Sequence, residues 1–177
     1  MSAHATFLLP GGYCNPDGEI HREVELIPLS GREEELLADC EPSTSSTFVT
    51  MLLTRCVHRI GTVGPISSDI IRSLLIADRL YLILKLREVT FGAQVQATVQ
   101  CPWGGCQKKV DIDFSLHDIP VRESEEKGPL YTRVLSPDAA LSGEPGEQYR
   151  EVAFRLPNGE DQEVIGQIVE EVGAKAL

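Results

Sequence analysis

Apolar and polar residues alternate near the start of the chain, and this pattern predicts a β-hairpin. Residues 6–9 form a short apolar run, and residues 19–27 alternate between polar and apolar side chains. The segments 10–12 and 15–18 between them consist largely of proline, glycine, asparagine and aspartate, the residues that favour turns. We therefore expect two antiparallel strands joined through these turns.

Apolar spacings of three and four residues then predict helices. A short acidic helix is expected over residues 32–40, and a second helix over residues 47–60. The longest helix is predicted over residues 68–89, with Ser67 as its N-cap. Its apolar side chains surround most of the helix, so it should either form the centre of the core or be covered by a partner.

The period returns to two after the longest helix. Residues 94–100 and 108–114 alternate between apolar and polar side chains, and two consecutive glycines lie between these segments. The pattern predicts a two-stranded antiparallel hairpin with a Gly-Gly turn, which carries Cys101 and Cys106 at its tip.

Together these elements predict an α+β fold, in which a small helical core carries an N-terminal β-hairpin and a Cys-bearing β-hairpin after the longest helix. We assign residues 1–122 to an α+β core domain, within which the Cys hairpin occupies residues 93–116. Residues 123–150 are rich in proline, glycine and charge, so we interpret them as a linker or an extended arm. Residues 151–177 predict a strand, a turn and a helix.

This last unit has two interpretations. Residues 154–159 resemble residues 7–12, which makes the unit a candidate start of a second repeat-like unit. The terminal helix either ends at Gly173 or continues to Leu177. In the second case it docks on a partner, or the natural protein extends beyond Leu177.

The net charge of −11 argues against a nucleic-acid partner, because binding to a phosphate backbone needs a concentrated basic face. The longest apolar stretch, around residues 74–86, contains charged residues and is too short to span a bilayer. The first residues carry no basic cluster typical of a signal peptide. We therefore expect a soluble protein without a membrane span that is synthesised in the cytoplasm.

Cys101 and Cys106 form the most distinctive chemical pattern in the sequence. Two thiolates at a hairpin tip can bind one Zn²⁺ ion when two further ligands complete a tetrahedron. His117 is the candidate third ligand, and Cys14 or His21 the candidate fourth. The cysteine spacing lies at the wide limit for such sites, and the sequence has no second cysteine pair of this kind. The alternative is a hairpin tip whose cysteines are free or are remnants of a lost metal site.

Motifs of known enzyme classes are absent from the sequence, including the phosphate-binding glycine-rich loop and the nucleophile elbow, so we predict a non-enzymatic protein. Asp78, Arg79 and Arg87 are charged residues on the apolar longest helix, where a buried charge needs a partner. Together with Trp103 they are our candidate interface or structural residues. For Asp78 we expect a backbone donor or an arginine as the partner, with a contact to another protein as the alternative.

The run IADRLYLILKLREVTFG at residues 76–92, followed by Cys101-Pro102 and Cys106, resembles the T-even-like bacteriophage baseplate hub protein family. That family includes relatives in contractile injection systems, and its pattern is an aspartate, an apolar stretch ending in Leu-Arg, a glycine, and a strand leading to a cysteine pair. The resemblance covers residues 5–120. The cysteines here are more widely spaced than the first pair of family members.

The resemblance implies a structural baseplate or hub component that binds other baseplate or tail proteins within an oligomeric assembly. Such a component would be incorporated in a phage virion tail or an injection-system particle. Two alternatives remain open from the sequence. One is a tail or baseplate assembly chaperone that is not retained in the finished particle, and the other is a zinc-ribbon adaptor domain.

Overall fold

The computed structural model of the protein describes residues 4–33, 35, 46–123, 128–142 and 148–175. Its strands and helices, in chain order, are β1 (Ala5–Cys14), β2 (Ile20–Leu26), α1 (Ser46–Cys56), β3 (Val57–Ile60), α2 (Ser68–Ser73), α3 (Ile76–Phe91), β4 (Gln94–Gln100), β5 (Lys109–Ser115), β6 (Tyr131–Val134), β7 (Leu141–Ser142), β8 (Gln148–Tyr149), β9 (Glu151–Phe154) and α4 (Gly159–Lys175). The helices occur together with small sheets, and all strand pairs among the described residues are antiparallel. The prediction of an α+β fold is therefore confirmed.

β1, β2 and β3 form a three-stranded sheet in that order, which contains the predicted N-terminal hairpin. The turn expected at residues 10–12 is wrong, because β1 continues through them. The pairing register shifts between Leu8 and Tyr13, and Gly12 within this irregular part has a φ of 96°, a conformation that other residues rarely adopt. The chain reverses at residues 15–18, as the second turn pattern predicts.

The helix predicted over residues 47–60 ends at Cys56, and its last four residues form β3 instead. Val57 and Ile60 are buried, and their three-residue spacing is typical of a helix, since in a regular strand they would point to opposite faces. The segment is a strand because it pairs with the open edge of β2, and the register of that pairing shifts between the two residues. This long-range pairing is not visible in the local pattern.

The helix predicted over residues 68–89 is divided into α2 and α3 by an extended break. Leu74 and Leu75 have ψ angles of 142° and 145°. The start of α4 and the residues just before it lie against the break, where Gly159 N donates to Leu74 O at 3.1 Å and Ile76 N donates to Pro157 O at 3.1 Å. Backbone hydrogen bonds from a distant part of the chain therefore replace the helical ones that the break removes. The predicted cap at Ser67 is confirmed by its hydrogen bond from the Ile70 amide.

The hydrophobic core lies between α3 and the first sheet, and α1 and α2 also contribute to it. Leu82 and Leu86 of α3 are buried together with Leu9, Val24 and Leu26 of the sheet. The four-residue spacing of the two α3 leucines places them on the same face of the helix, as the pattern predicts.

Residues 123–150, which we interpreted as a linker or an extended arm, contain short strands. β6 pairs with β9, and β7 pairs with β8. The strand and helix predicted after residue 150 are present as β9 and α4. Domain boundaries at residues 122 and 150 stay a prediction. The acidic helix predicted over residues 32–40 falls largely outside the described residues, although residues 31–33 and 35 are helical.

Asp78, a residue of α3, is completely buried. Its carboxylate accepts hydrogen bonds from Gly11 N at 2.8 Å and Gly12 N at 3.0 Å. Burial raises the pKa of Asp78, whereas the two amide donors and the charge of Arg22 oppose that rise. Asp78 thereby holds the irregular part of β1 against α3.

Arg79, the next residue, is 1% exposed and connects α3 to α1 and α2. Its guanidinium donates to Ile71 O at 3.0 Å, to Ser46 O at 2.9 Å and to Thr50 Oγ1 at 3.0 Å. Burial lowers the pKa of Arg79, and the charge of Glu163 opposes this shift. The three acceptors offset part of the cost of removing the cation from water.

We expect Asp78→Ala to lower the free energy of unfolding by about 3 kcal/mol, because it leaves two amide donors without their acceptor. Denaturant titration followed by circular dichroism measures this change. The matched control is Asp69→Ala, whose side chain is 88% exposed in the first turn of α2. Loss of that exposed carboxylate should cost less than about 1 kcal/mol, and equal costs for the two variants would contradict the anchoring role.

Candidate protein-interaction surface

One side of α4 carries a row of exposed apolar side chains. Val164 and Ile165 are 50% and 57% exposed, and Ile168 and Val169 are 54% and 63% exposed. Residues spaced by four lie on the same side of a helix, so these four side chains form a continuous apolar stripe. We call them the α4 stripe.

The opposite side of α4 contacts the helical core through a carboxylate. Glu163 Oε2 accepts from Arg72 Nε at 3.0 Å, and Glu163 Oε1 accepts from Thr50 Oγ1 at 2.5 Å. Burial tends to raise the pKa of Glu163, but the hydrogen bonds from Thr50 and Arg72 outweigh it and lower the pKa. These contacts determine which face of α4 points away from the core.

A second set of polar contacts caps α4 at its first turn. Asn158 N donates to Asp161 Oδ2 at 2.9 Å, and Asp161 N donates to Asn158 Oδ1 at 3.1 Å. This reciprocal pattern satisfies backbone donors at a helix start. Arg155 binds the same carboxylate at 2.5 Å and 2.7 Å.

Gly159 begins α4 and allows close packing on Arg79. A Cβ atom at Gly159 would lie 2.6 Å from Arg79 Nη1. α4 therefore begins beside both the buried guanidinium of Arg79 and the break between α2 and α3. Through this contact the core arginine helps to position the α4 stripe.

Further apolar side chains are exposed on the short strands before α4 and next to them. These exposed residues are Leu130, Val134, Leu141, Tyr149, Phe154 and Leu156. Tyr131 and Phe154 stack across the β6–β9 pair with ring centroids 5.7 Å apart. The second half of the chain thus presents several exposed apolar side chains close together in sequence, which is typical of an interaction surface.

A cleft of about 390 Å³ separates the first hairpin from the C-terminal segment. Gly11 and Cys14 line one side of it, and Tyr131 and Arg155 line the other. Arg155 is the one charged residue of this lining, and its guanidinium is bound by Asp161. The charged side chain of the cleft is therefore already engaged at the first turn of α4.

β4 and β5 form the predicted Cys hairpin in continuous register. The segment between the strands spans residues 101–108 and contains the predicted Gly-Gly turn, because Cys106 N donates to Trp103 O at 3.0 Å across the two glycines. Cys101 and Cys106 are half-buried free thiols in this loop, and Trp103 between them is 79% exposed. Trp103 is thus available for contact with another molecule.

Arg87 and His117 lie at the base of the Cys hairpin. Arg87 donates to Gly92 O at 2.6 Å and to Gln94 O at 2.9 Å, which fixes the junction between α3 and β4. His117 Nε2 lies 3.0 Å from Glu88 Oε1 of α3. These contacts hold the hairpin base against the end of α3.

The structure does not bring His117 to the cysteine pair. His117 follows the base end of β5, and the cysteines follow the tip end of β4, so a seven-residue strand, about 20 Å in length, separates them. Cys14 and His21 belong to the first hairpin, where His21 is buried and stacks on Tyr13. Zinc binding at the hairpin tip stays a prediction.

Potential metal ligands do converge elsewhere. Within the described ranges, His4, Glu25 and His58 form one group of three close potential ligands. These three residues have no motif spacing along the chain, because strand pairing alone brings them together. The α4 stripe was partly visible as the apolar pattern of α4, but the face that docks on the core was not.

A protein-family model described as T4 bacteriophage base plate protein matches residues 13–173. The matched range contains the helical core, the Cys hairpin and the α4 stripe. No curated protein and no solved structure shows a significant match. Among the described residues, no helix is sufficiently long and apolar to cross a membrane.

Gly159→Ala should destabilise the protein, because the added Cβ would lie 2.6 Å from Arg79 Nη1 and 2.9 Å from Arg72 O. We expect a loss of about 1–3 kcal/mol in the free energy of unfolding. Gly166 provides the control within the same helix, since a Cβ there would meet Ser46 Oγ at 3.6 Å. Gly166→Ala should therefore stabilise the protein by about 0.5–1 kcal/mol through helix propensity. Effects of the same sign in denaturant titrations would contradict the packing of Arg79 on Gly159.

Asp161 should make the stability of the protein depend on pH. Hydrogen bonds from Arg155 and Asn158 lower the pKa of Asp161 from its ordinary value of 3.8 to about 2. The folded state therefore binds this proton more weakly than the unfolded state does. Its stabilisation is fully present above about pH 4 and is lost as the pH falls through about 2.

We expect Asp161→Asn to flatten the pH dependence of the unfolding free energy in that acidic window. Denaturant titrations at a series of pH values measure the slope. Asp17→Asn, an exposed substitution in the β1–β2 turn, controls for the general loss of one negative charge. An unchanged slope for Asp161→Asn would show that its contacts with Arg155 and Asn158 add no stability.

Proposed function

The chain belongs to the T4 bacteriophage base plate protein family, and from this premise we propose that it acts in the hub region of a contractile tail baseplate through protein contacts. Family membership supports a structural, non-catalytic component of the phage virion. The particle is a contractile phage tail or a related contractile injection system. The single observation that carries the proposal is the α4 stripe, which the polar contacts of α4 orient away from the core.

The size of the α4 stripe sets what it can contribute to binding. Burial of one whole valine or isoleucine side chain contributes about 1.5–3 kcal/mol, so covering the exposed half of four such side chains contributes about 4 kcal/mol. Association costs about 4–15 kcal/mol in lost translational and rotational freedom. The stripe alone therefore does not support a stable complex. A functional interface must include further apolar groups, of which the strands before α4 and Trp103 offer several.

A second candidate is a baseplate assembly chaperone that leaves before the particle is complete. The net charge of −11 favours this function, because like charges keep a protein with exposed apolar surface dispersed while it is free in solution. A chaperone would bind a baseplate protein through the same surface. The two candidates differ in whether the chain is retained in finished particles.

The decisive measurement is the composition of tail particles purified from cells that assemble the native particle. We expect the chain to copurify with intact particles at a fixed copy number per tail. Its absence from intact particles, together with its recovery in complexes with a free baseplate protein, would instead identify the chaperone. A zinc-ribbon adaptor would contain zinc that is lost on substitution of Cys101 and Cys106 by serine, and it would bind neither tails nor free baseplate proteins.

Substitution of the α4 stripe should prevent this association. We expect Ile165→Glu with Ile168→Glu to abolish copurification with tails or with the free baseplate partner, because two carboxylates would be buried without partners. Gln167→Glu is the matched control, since it adds a charge at an exposed polar position of the same helix and should leave binding unchanged. Unchanged circular dichroism shows that the variants fold, and full binding by the double variant would contradict a role of the stripe.

A further inference from the structure

Three potential metal ligands converge on the first sheet, remote in sequence from the Cys hairpin. The ligand atoms of His4, Glu25 and His58 all lie within 4.8 Å of one another. His4 immediately precedes β1, Glu25 lies in β2, and His58 lies in β3. One ligand therefore comes from each of three adjacent chain segments.

An irregularity in the sheet directs His58 toward this group. β2 and β3 pair Glu25 with Arg59 and Leu26 with Val57, which leaves His58 as an additional residue between the two pairs. Consecutive side chains of a regular strand point to opposite faces of the sheet, whereas a β-bulge redirects one of them.

The contacts agree with this effect of the bulge. Arg59 Nη2 lies 2.6 Å from Glu25 Oε1, and the ring of its neighbour His58 lies 4.4 Å from the ring of His4, measured between centroids. Both consecutive side chains of β3 therefore reach the same cluster. The bulge thus places His58 beside His4 and Glu25 at the edge of the sheet.

The donor set suits a borderline-soft divalent cation. Two imidazole nitrogens and one carboxylate oxygen are preferred ligands of Zn²⁺, at metal–ligand distances of about 2.0–2.2 Å. Tetrahedral geometry then separates neighbouring ligand atoms by about 3.4 Å. His4 Nδ1 and Glu25 Oε2 are already 3.6 Å apart. Side-chain shifts of about 1 Å would bring the third ligand to bonding distance, since the largest separation in the group is below 4.8 Å.

Arg59 is the competing cation at this position. Its guanidinium donates to Glu25 Oε1 at 2.6 Å and so occupies one oxygen of that carboxylate. Arg59 also contacts Glu23 at 3.3 Å and Gly61 O at 2.7 Å, so it retains partners when Glu25 turns to a metal ion. The nearby guanidinium charge repels a bound cation and so weakens its binding.

We propose that His4, Glu25 and His58 bind one Zn²⁺ ion, which cross-links the start of β1 to β2 and β3. The fourth position of the tetrahedron is open to water or to a donor from a neighbouring protein, because these three residues supply three ligands. This site is independent of the proposed function and of the Cys hairpin.

The test uses the full chain with Cys101→Ser and Cys106→Ser, which removes the two thiols of the hairpin tip. Isothermal titration with Zn²⁺ should give one site per chain, and added Zn²⁺ should raise the melting temperature. Loss of a hydrogen-bond partner of a metal ligand alone costs about 10-fold or more in affinity, so His4→Ala and His58→Ala should each weaken binding by at least that factor. His117→Ala is the matched control, a surface histidine at the base of the Cys hairpin, and it should bind Zn²⁺ as the parent does.

A variant with the opposite expected effect guards against a simple loss of folding. Arg59→Gln removes the competing cation and should tighten Zn²⁺ binding. Circular dichroism without metal establishes that each variant is folded. Absence of zinc binding in the parent, or equal affinity in the parent and in both histidine variants, would overturn the proposal. Weakening by the two histidine substitutions together with tightening by Arg59→Gln would support it.

Discussion

The burial of two consecutive charged residues, Asp78 and Arg79, is the interaction on which the arrangement of the other elements depends. Each charge loses hydration, at a cost of several kcal/mol that only well-placed partners offset. Asp78 obtains its partners from a strand 66 and 67 residues earlier in the chain, and Arg79 obtains its own from α1 and from the end of α2. The two side chains thus connect α3 to the N-terminal sheet and to the other helices at one place.

This requirement explains several features that look like irregularities. β1 departs from regular pairing where Gly11 and Gly12 donate their amides to Asp78. α4 begins with a glycine because a Cβ atom would meet the guanidinium of Arg79. The irregular strand and the close helix start both allow backbone to approach a buried charge. If Asp78 were apolar, the amides of the irregular part of β1 would have no buried carboxylate to bind. If Arg79 were apolar, α4 would have no buried guanidinium to pack against at its first residue.

Local sequence patterns predicted most of the helices and strands. They missed the places where backbone hydrogen bonds to a distant segment replace those within a helix. The Cys hairpin and the N-terminal hairpin follow from period-two alternation, and both are present. Val57 and Ile60 have the three-residue spacing of a helix, but pairing with the edge of β2 makes this segment a strand. The break at Leu74 and Leu75 depends on residues 157–159, which lie more than eighty positions later. Periodicity within a window cannot report such pairings.

The same limit applies to the site residues. The sequence located the cysteine pair at a hairpin tip and indicated that Asp78 needs a donor, but it could not identify Gly11 and Gly12 as those donors. His117 is near Cys106 in sequence, yet the hairpin carries them to opposite ends of a strand. The family resemblance found from residues 76–92 and the cysteine pair is confirmed. It is visible in the sequence because the family pattern is an order of elements along the chain and does not depend on a particular tertiary contact.

The attachment of α4 is inverted relative to an ordinary surface helix. Such a helix usually buries its apolar side and exposes its polar side. Here Glu163 and the Asn158–Asp161 cap hold the polar side to the core, while the α4 stripe remains at least half exposed. Hydrogen bonds and ion pairs have directional geometry, so they fix the rotation of the helix about its axis more closely than apolar packing would. A helix held in this way presents a preoriented apolar surface, and a partner that covers it needs to lose less freedom on binding.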